Sequence, residues 1–442
     1  MSVRDEDLTD VETRLREALA PLRGTTLPER TAREAVARGR RLRRGRRAAT
    51  AAAPLVAAAL VVATALGIGF ATGRDDGAAT GPAVVGPGWH RAAASPLSPR
   101  LGAWVLPLGT DRVLVLGGSA EDPCPPNASC AAPTQETPLP RDGAVYDVRT
   151  DTWRRIADAP VPLGFAASAV VGDTVYVLTN PGQFGPDAVD QGERTLLAWS
   201  AADDRWTRLP APQAQVAGLV ALDDGRLLAF GSAQEDGTPA DHVYDTATRT
   251  WTALPQDPLP GVSGRTVLAV PGGAVRVAEA PADGKPYGTW LLARWDAAAN
   301  AWTRWPDPRI AASSPLWFST GGRVVNPSGE TVDAGPLGLR PTGGIIDPAT
   351  GASVPVPPFA PEPGVQPSAA GAGRVVALGG VLDVAARRWS DLPHRPGDRV
   401  EQAGAGVTPG GVLVEFGGVR AEGDGAWTKA ALSDELWVLG LP

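Results

Sequence analysis

Hydrophobic and polar positions alternate along this chain in three distinct ways. In residues 8–22, Leu8, Val11, Leu15, Leu19 and Leu22 recur at three- to four-residue spacing, the period of one helix face. Thr9 with Glu12 forms a capping box ahead of it. A second helical stretch starts near Pro28, a residue suited to the first helical position, and runs into the arginines that follow. From Ala48 to Gly73 nothing is ionisable, and Ala51–Thr72 is a continuous small and apolar stretch. As a helix at ~1.5 Å per residue its 22 residues reach about 33 Å, which fits a hydrocarbon core of ~30 Å. Its apolar weight rests on Leu55, Val56, Leu60, Val61, Val62, Leu66, Ile68 and Phe70. Beyond a short Gly/Pro linker at 73–88 the pattern changes to short strand-like runs separated by Gly, Pro and Asp.

Those runs repeat. Val145-Tyr146-Asp147 is followed by Trp153, and Val243-Tyr244-Asp245 by Trp251. The same six-residue offset joins Ser200 to Trp206, Asp296 to Trp302, Asp347 to Ser353 and Asp383 to Trp389. The offset predicts two strands joined by a tight turn, with Asp and Thr side chains bonding to the turn backbone. Ahead of each hairpin lies a further strand, clearest in Arg112–Gly118, Thr174–Leu178, Arg226–Gly231, Ala274–Val277, Arg323–Val325, Arg374–Gly380 and Val412–Gly418. Each of the seven follows a turn such as Val171-Gly-Asp173, Asp223-Asp-Gly225 or Pro409-Gly-Gly411, in which Gly supplies backbone conformations other residues avoid.

The outer-strand markers are Trp89, Trp153, Trp206, Trp251, Trp302, Ser353 and Trp389, spaced 64, 53, 45, 51, 51 and 36 residues apart. Trp89 has no partner strands before it, and Leu436–Leu439 has no outer strand after it. The two ends complement each other, so pairing them closes a ring and removes an exposed edge.

A Gly doublet, a hydrophobic-Asp pair and a Trp six residues on resemble the kelch repeat, over about residues 84–442, at spacings that bracket the ~50 residues of such units. The doublet is complete in only three copies, and Ser353 replaces one Trp. The resemblance implies an all-β fold: a seven-bladed β-propeller of four-stranded blades, or six-bladed if the Ser353 unit is irregular. The Trp residues are then core between blades.

Charge divides the chain. Residues 1–50 hold 13 Arg against 8 Asp/Glu, whereas residues 73–442 hold 28 basic and 40 acidic residues. Seven arginines between Arg38 and Arg47 stand directly before the apolar stretch, and the positive-inside rule then places residues 1–50 in the cytoplasm and the repeats outside. The competing reading is a cleaved export signal, even a twin-arginine one at Arg43-Arg44 or Arg46-Arg47. An uncleaved anchor is favoured by the length of the N-terminal flank and by the lack of an A-x-A-like site after Phe70. Residues 1–50 resemble the inward tails of membrane-bound regulators such as anti-sigma factors, without Cys or His for a zinc motif; the alternative is an amphipathic helix on the inner leaflet. An acidic balance over most of the chain argues against nucleic acid as a partner. With 39 Arg against Lys285 and Lys429, the composition suggests a GC-rich bacterial genome.

Candidate chemistry is sparse. Two Cys and three His exclude a disulfide framework and a His/Cys metal cluster. Some kelch propellers are enzymes. The copper site of galactose oxidase needs His and Tyr ligands and a Tyr crosslinked to Cys, whereas His90, His242 and His394 fall in separate repeats here. Thr331-x-Asp333-x-Gly335 echoes a sialidase Asp-box without its closing aromatic. Cys124 and Cys130 flank a five-residue Pro-rich stretch and read as a local disulfide, given export to an oxidising compartment.

Specificity is expected in the connections between second and third strands, at 119–142, 180–194, 232–241, 278–289 and 419–433, which fall on one face. They are acidic, and the candidate binding residues are Glu121, Phe184, Asp187, Glu235, Asp236, Tyr287 and Asp424. The sequence thus leads to a single-pass membrane protein with a non-catalytic outer module that binds a protein or glycan, without cofactor or metal. One alternative is a transmembrane sensor whose residues 1–50 contact a cytoplasmic regulator. Another is an enzyme with an unrecognised site at the channel mouth.

Overall fold

The structure, a computed structural model, describes residues 86–120, 139–163, 167–179, 194–212, 216–231, 241–259, 265–280, 288–312, 316–333, 339–359, 367–397, 400–422 and 429–442. The expected tail, apolar span and most of the linker lie outside these residues. The described residues contain strands and turns and no helix, hence no helix long and apolar enough to cross a membrane.

Among the described residues, seven antiparallel sheets each contain a path of four strands, called a to d, and one of them carries a fifth strand off that path. Sheet I spans Trp104–Arg155, sheet II Ala167–Leu209, sheet III Gly218–Ala253 and sheet IV Thr266–Arg304. Sheet V runs from Phe318 to Pro355 and sheet VI from Ala369 to Asp391. Sheet VII takes strands a to c from Gly404–Val407, Val412–Phe416 and Leu436–Gly440. Its strand d is His90–Arg91, in register with Val438 and Trp437. The expected pairing of the two ends is therefore present, with the strand placed one residue past Trp89. The Ser353 copy is a regular four-stranded sheet.

The a strands pack side by side from sheet I to sheet VII, and the a strand of VII packs back onto that of I. Close approach here requires glycine: a Cβ on Gly404 would lie 2.0 Å from the Ala103 carbonyl, and one on Gly406 2.5 Å from that of Val105. The hydrophobic core is accordingly divided among the interfaces between neighbouring sheets. Leu106, Leu114, Val177 and Trp199 fill the I–II interface. Phe230, Val267 and Trp295 fill III–IV, and Val105, Tyr146, Phe416 and Val438 seal VII against I. Strands a and b bury both faces, which is why they read as unbroken apolar runs such as Val113–Leu116.

Each c–d hairpin turns where the repeat predicts. Asp147 Oδ1 accepts the N–H groups of Arg149 and Thr150, at 2.9 and 3.1 Å, and Asp245 and Asp296 do the same two and three residues on. Those N–H bonds hold the Asp245 and Asp296 carboxyls below the usual carboxylate range. In the six c–d hairpins the residue two before the marker adopts a left-handed φ: Asp151 (51°), Asp204 (50°), Arg249 (59°), Asn300 (47°), Gly351 (73°) and Arg387 (51°). For the non-glycine residues this costs on the order of 1 kcal/mol each.

The marker Trp residues pack against the cores between sheets, as expected. They are half-buried, and each indole N–H also donates to a backbone carbonyl in the segment that follows strand d of the preceding sheet. Trp153 reaches Ala93 O (3.0 Å), Trp206 reaches Ala157 O (2.7 Å), Trp251 reaches Pro210 O (2.7 Å) and Trp302 reaches Pro255 O (3.0 Å). Ser353 makes the equivalent bond through its hydroxyl to Pro308 O (2.6 Å), and Trp389 reaches Pro357 O (3.0 Å). Trp89 completes the circle on Pro393 O at 2.6 Å, across 304 residues of chain. Two copies add a second bond: the N–H of Ala93 donates to Asp151, and that of Ala157 to Asp204.

Candidate recognition face

The a–b and c–d turns lie at one end of every sheet, and the b–c connections and the links between sheets lie at the other. The second end carries the candidate site. Glu121, Phe184, Asp187, Glu235, Asp236, Tyr287 and Asp424 all fall there by sequence position but lie outside the described residues, as do Cys124 and Cys130. The structure therefore neither brings them together nor separates them.

What it does describe is the base on which those connections stand, and several are not plain loops. In sheet IV strands b and c lengthen to Gly273–Ala280 and Gly288–Asp296, so the segment expected as a loop at 278–289 begins and ends as a β-ribbon, with Ala311–Ala312 pairing along it. In sheet VII the connection expected at 419–433 forms strands Val419–Glu422 and Lys429–Leu432, with Val400–Glu401 as a third strand. Sheet V, with no insertion expected, carries the hairpin Thr331–Asp333/Leu339–Pro341.

Ion pairs cluster at this end. Between sheets III and IV, Asp241, Asp257, Arg265 and Arg276 are all buried. Arg276 bonds to Asp241 through Nη2 and lies 3.5 Å from Asp257 through Nε, and Asp257 also pairs with Arg265. The Arg276 guanidinium lies 6.0 Å from the Phe230 ring centre and 5.7 Å from that of Trp302. Its Nη1 makes no hydrogen bond. Burial and the charge of Arg276 push Arg265 below the usual guanidinium range.

Elsewhere on the same end, fully buried Arg100 reaches Asp142 at 2.9 Å. Glu435 receives Arg91 (2.9 Å), Arg420 (3.4 Å) and the Trp437 indole (3.0 Å). Glu415, on strand b of sheet VII, pairs with Arg395 at 3.2 Å, and that guanidinium stacks over Trp437. Burial pushes the Glu415 carboxyl up to about 7 despite the attraction of Arg395. Asp142, Asp241 and Glu435 each stand immediately before a strand c. These carboxylates are engaged by arginines and so serve as ties rather than free acids or bases. Among the described residues no group of three or more His, Cys, Asp or Glu is placed to hold a metal ion.

Comparison with known proteins agrees with this geometry. The chain is 27% identical over 143 residues to the Kelch-like protein terF of Aspergillus terreus, a match covering 29% of this chain and 30% of that protein. It is 30% identical over 122 residues to the Kelch repeat protein M-T8 of Myxoma virus, covering 27% and 23%. The fold fits a kelch-type β-propeller. No family model matches the chain. The match spans less than a third of the length of either relative.

Proposed function

We propose that the four-stranded sheets are the blades of a seven-bladed propeller, and that its b–c face is a non-catalytic recognition surface for a basic or polar protein or glycan at the cell envelope. The observation that carries this reading is the contrast between the two ends of the ring. One end has short, self-satisfied turns; the other has ribbons built out from blades IV, V and VII over a base pinned by buried ion pairs. Such a rigid base under variable connections is where binding residues are usually carried. Similarity to kelch proteins supports an interaction module, although fold alone does not name a ligand. The apolar stretch 51–72 with its preceding arginines supports attachment to a membrane, N-terminus inward.

The test uses the full chain in mild detergent. The partner is captured from envelope extract with the native protein and with a variant neutralised at Glu121, Asp187, Glu235, Asp236 and Asp424. A partner enriched by the native protein and lost with the variant supports the reading. Equal capture by both removes the acidic face from the account. An empty capture by the folded protein, with glycan arrays equally blank, overturns recognition at this face.

A further inference from the structure

The path of the chain through blade VII fixes where the N-terminal flank leaves the ring. Strand c of that blade runs from Leu436 at the b–c end to Gly440 at the other end, where Gly440 pairs with Val412 just after the a–b turn. Strand d runs antiparallel to it. At the start of this segment the Gly86 carbonyl accepts the N–H of Gly440 (3.3 Å), and at its end the Ala92 N–H donates to Leu436 O (3.0 Å). The flank therefore arrives at the end bearing the a–b and c–d turns, opposite the ribbons and acidic connections. Pro442 lies at that end too. Its neighbour Leu441 donates to Gly411 O in the a–b turn (2.9 Å), and the Pro442 carbonyl accepts from Arg374, which begins strand b of blade VI.

We infer that the propeller has a preferred polarity: the a–b/c–d face is turned toward the membrane and the b–c face is presented away from it. The inference rests on the membrane attachment proposed above. Residues 73–85 span at most ~45 Å at ~3.3–3.6 Å per residue. The inverted arrangement makes the linker climb the outer edge of a blade, about 17 Å for a five-residue strand. It also turns the acidic b–c connections toward the head groups, where like charge on an anionic surface repels them. Neither cost arises in the upright arrangement.

The test places single fluorophores on the full chain with Cys124 and Cys130 replaced by Ser. Arg149→Cys and Arg387→Cys label the c–d turns of blades I and VI; Arg141→Cys and Glu279→Cys label the b–c end of blades I and IV. All four side chains are exposed, so the labels leave the cores intact. The protein is reconstituted in phosphatidylcholine/phosphatidylglycerol vesicles carrying a head-group energy acceptor. The ~17 Å depth of a blade separates the two label pairs enough for transfer at least about twofold stronger from the c–d turns. Equal transfer from both pairs, or stronger transfer from Arg141→Cys and Glu279→Cys, overturns the polarity while leaving attachment intact. Failure of the chain to co-sediment with vesicles overturns the attachment and the polarity with it.

Discussion

Replacing Arg276 with Met removes one of four charges sealed between blades III and IV. The Met side chain keeps much of the arginine stem's packing against Phe230 and Trp302, so the loss is chiefly electrostatic. Asp241 then keeps only a 3.3 Å bond from the Gly231 N–H, and Asp257 keeps Arg265. Removing one partner of a buried pair costs about 3–5 kcal/mol, because a carboxylate is stranded without compensation. With an unfolding entropy of ~2.1 cal/mol/K per residue over roughly 350 residues, each kcal/mol moves Tm by about 1.4 °C, so Arg276→Met lowers it by about 4–7 °C. Removing the stranded charge as well, in Arg276→Met with Asp241→Leu, returns most of that loss, since an apolar pair of similar volume is often neutral or stabilising. Calorimetry and urea denaturation of the two single variants and the double variant measure the coupling. A single-variant loss under about 1 kcal/mol, or a double variant whose loss equals the sum of the singles, refutes the account of Asp241 and Arg276 as a mutually dependent pair.

Four further outcomes are expected. The folded protein holds the Glu415 proton up to about pH 7, against 4.5 for the free group; the contribution of this group to stability is therefore greatest below about pH 4.5, falls by on the order of 3 kcal/mol as pH rises to 7, and is flat above. Glu415→Gln removes that slope from a Tm–pH profile, and a slope unchanged in the variant assigns it to another group. Trp206→Phe keeps the ring and loses the bond to the Ala157 carbonyl, costing about 1 kcal/mol, and Ser353→Ala loses its bond to Pro308 at similar cost, both read by urea denaturation. Deleting residues 84–92 removes strand d of blade VII, the Trp89 bond and the Arg91–Glu435 pair, and lowers Tm far more than a nine-residue deletion on the surface; an unchanged Tm refutes closure by this segment. A reporter fused after Pro442 is active only if it functions outside the membrane, and cytoplasmic activity overturns the proposed orientation.

The repeat was legible because both faces of strands a and b are buried in every blade. Burial writes a similar, mostly apolar run in each sheet, interrupted only at buried polar positions such as Arg276 and Glu415, and the Asp-to-Trp offset marks a turn held largely by local bonds. Closure was legible from the unmatched ends at Trp89 and Leu436–Leu439. Ser353 shows the limit of reading by residue type: its hydroxyl makes the bond that an indole makes elsewhere, so a copy that looks degenerate is structurally regular. The Trp residues carry more than their hydrophobicity announces. They pack on the inter-blade cores as it suggests, but a half-buried indole with an acceptor in the preceding blade also has a directional role that periodicity does not reveal. The ribbons of blades IV, V and VII were missed because Gly, Pro and acidic residues at their tips mask short strands at their bases. The buried charges were missed because Asp241 and Arg276 lie 35 residues apart, on different blades. The one available signal was an acid immediately before strand c, as at Asp142, Asp241 and Glu435.

The circle of indole and hydroxyl bonds has no first member. Each marker leans on the blade before it, and Trp89 leans on the last, so the seam at blade VII differs from the other junctions only in where the numbering starts. Gly86 and Gly440 are joined by a hydrogen bond, which puts the two ends of the ring within reach of a short bridging peptide. The propeller is thus a candidate for circular permutation: ends joined near Gly86 and Pro442, and new ends opened in another c–d turn, such as that at Asp203–Asp204, leave every blade interface and every marker bond in place. Insertion or loss of repeats is constrained in a complementary way, because a change of one whole blade alters the curvature required of all the others.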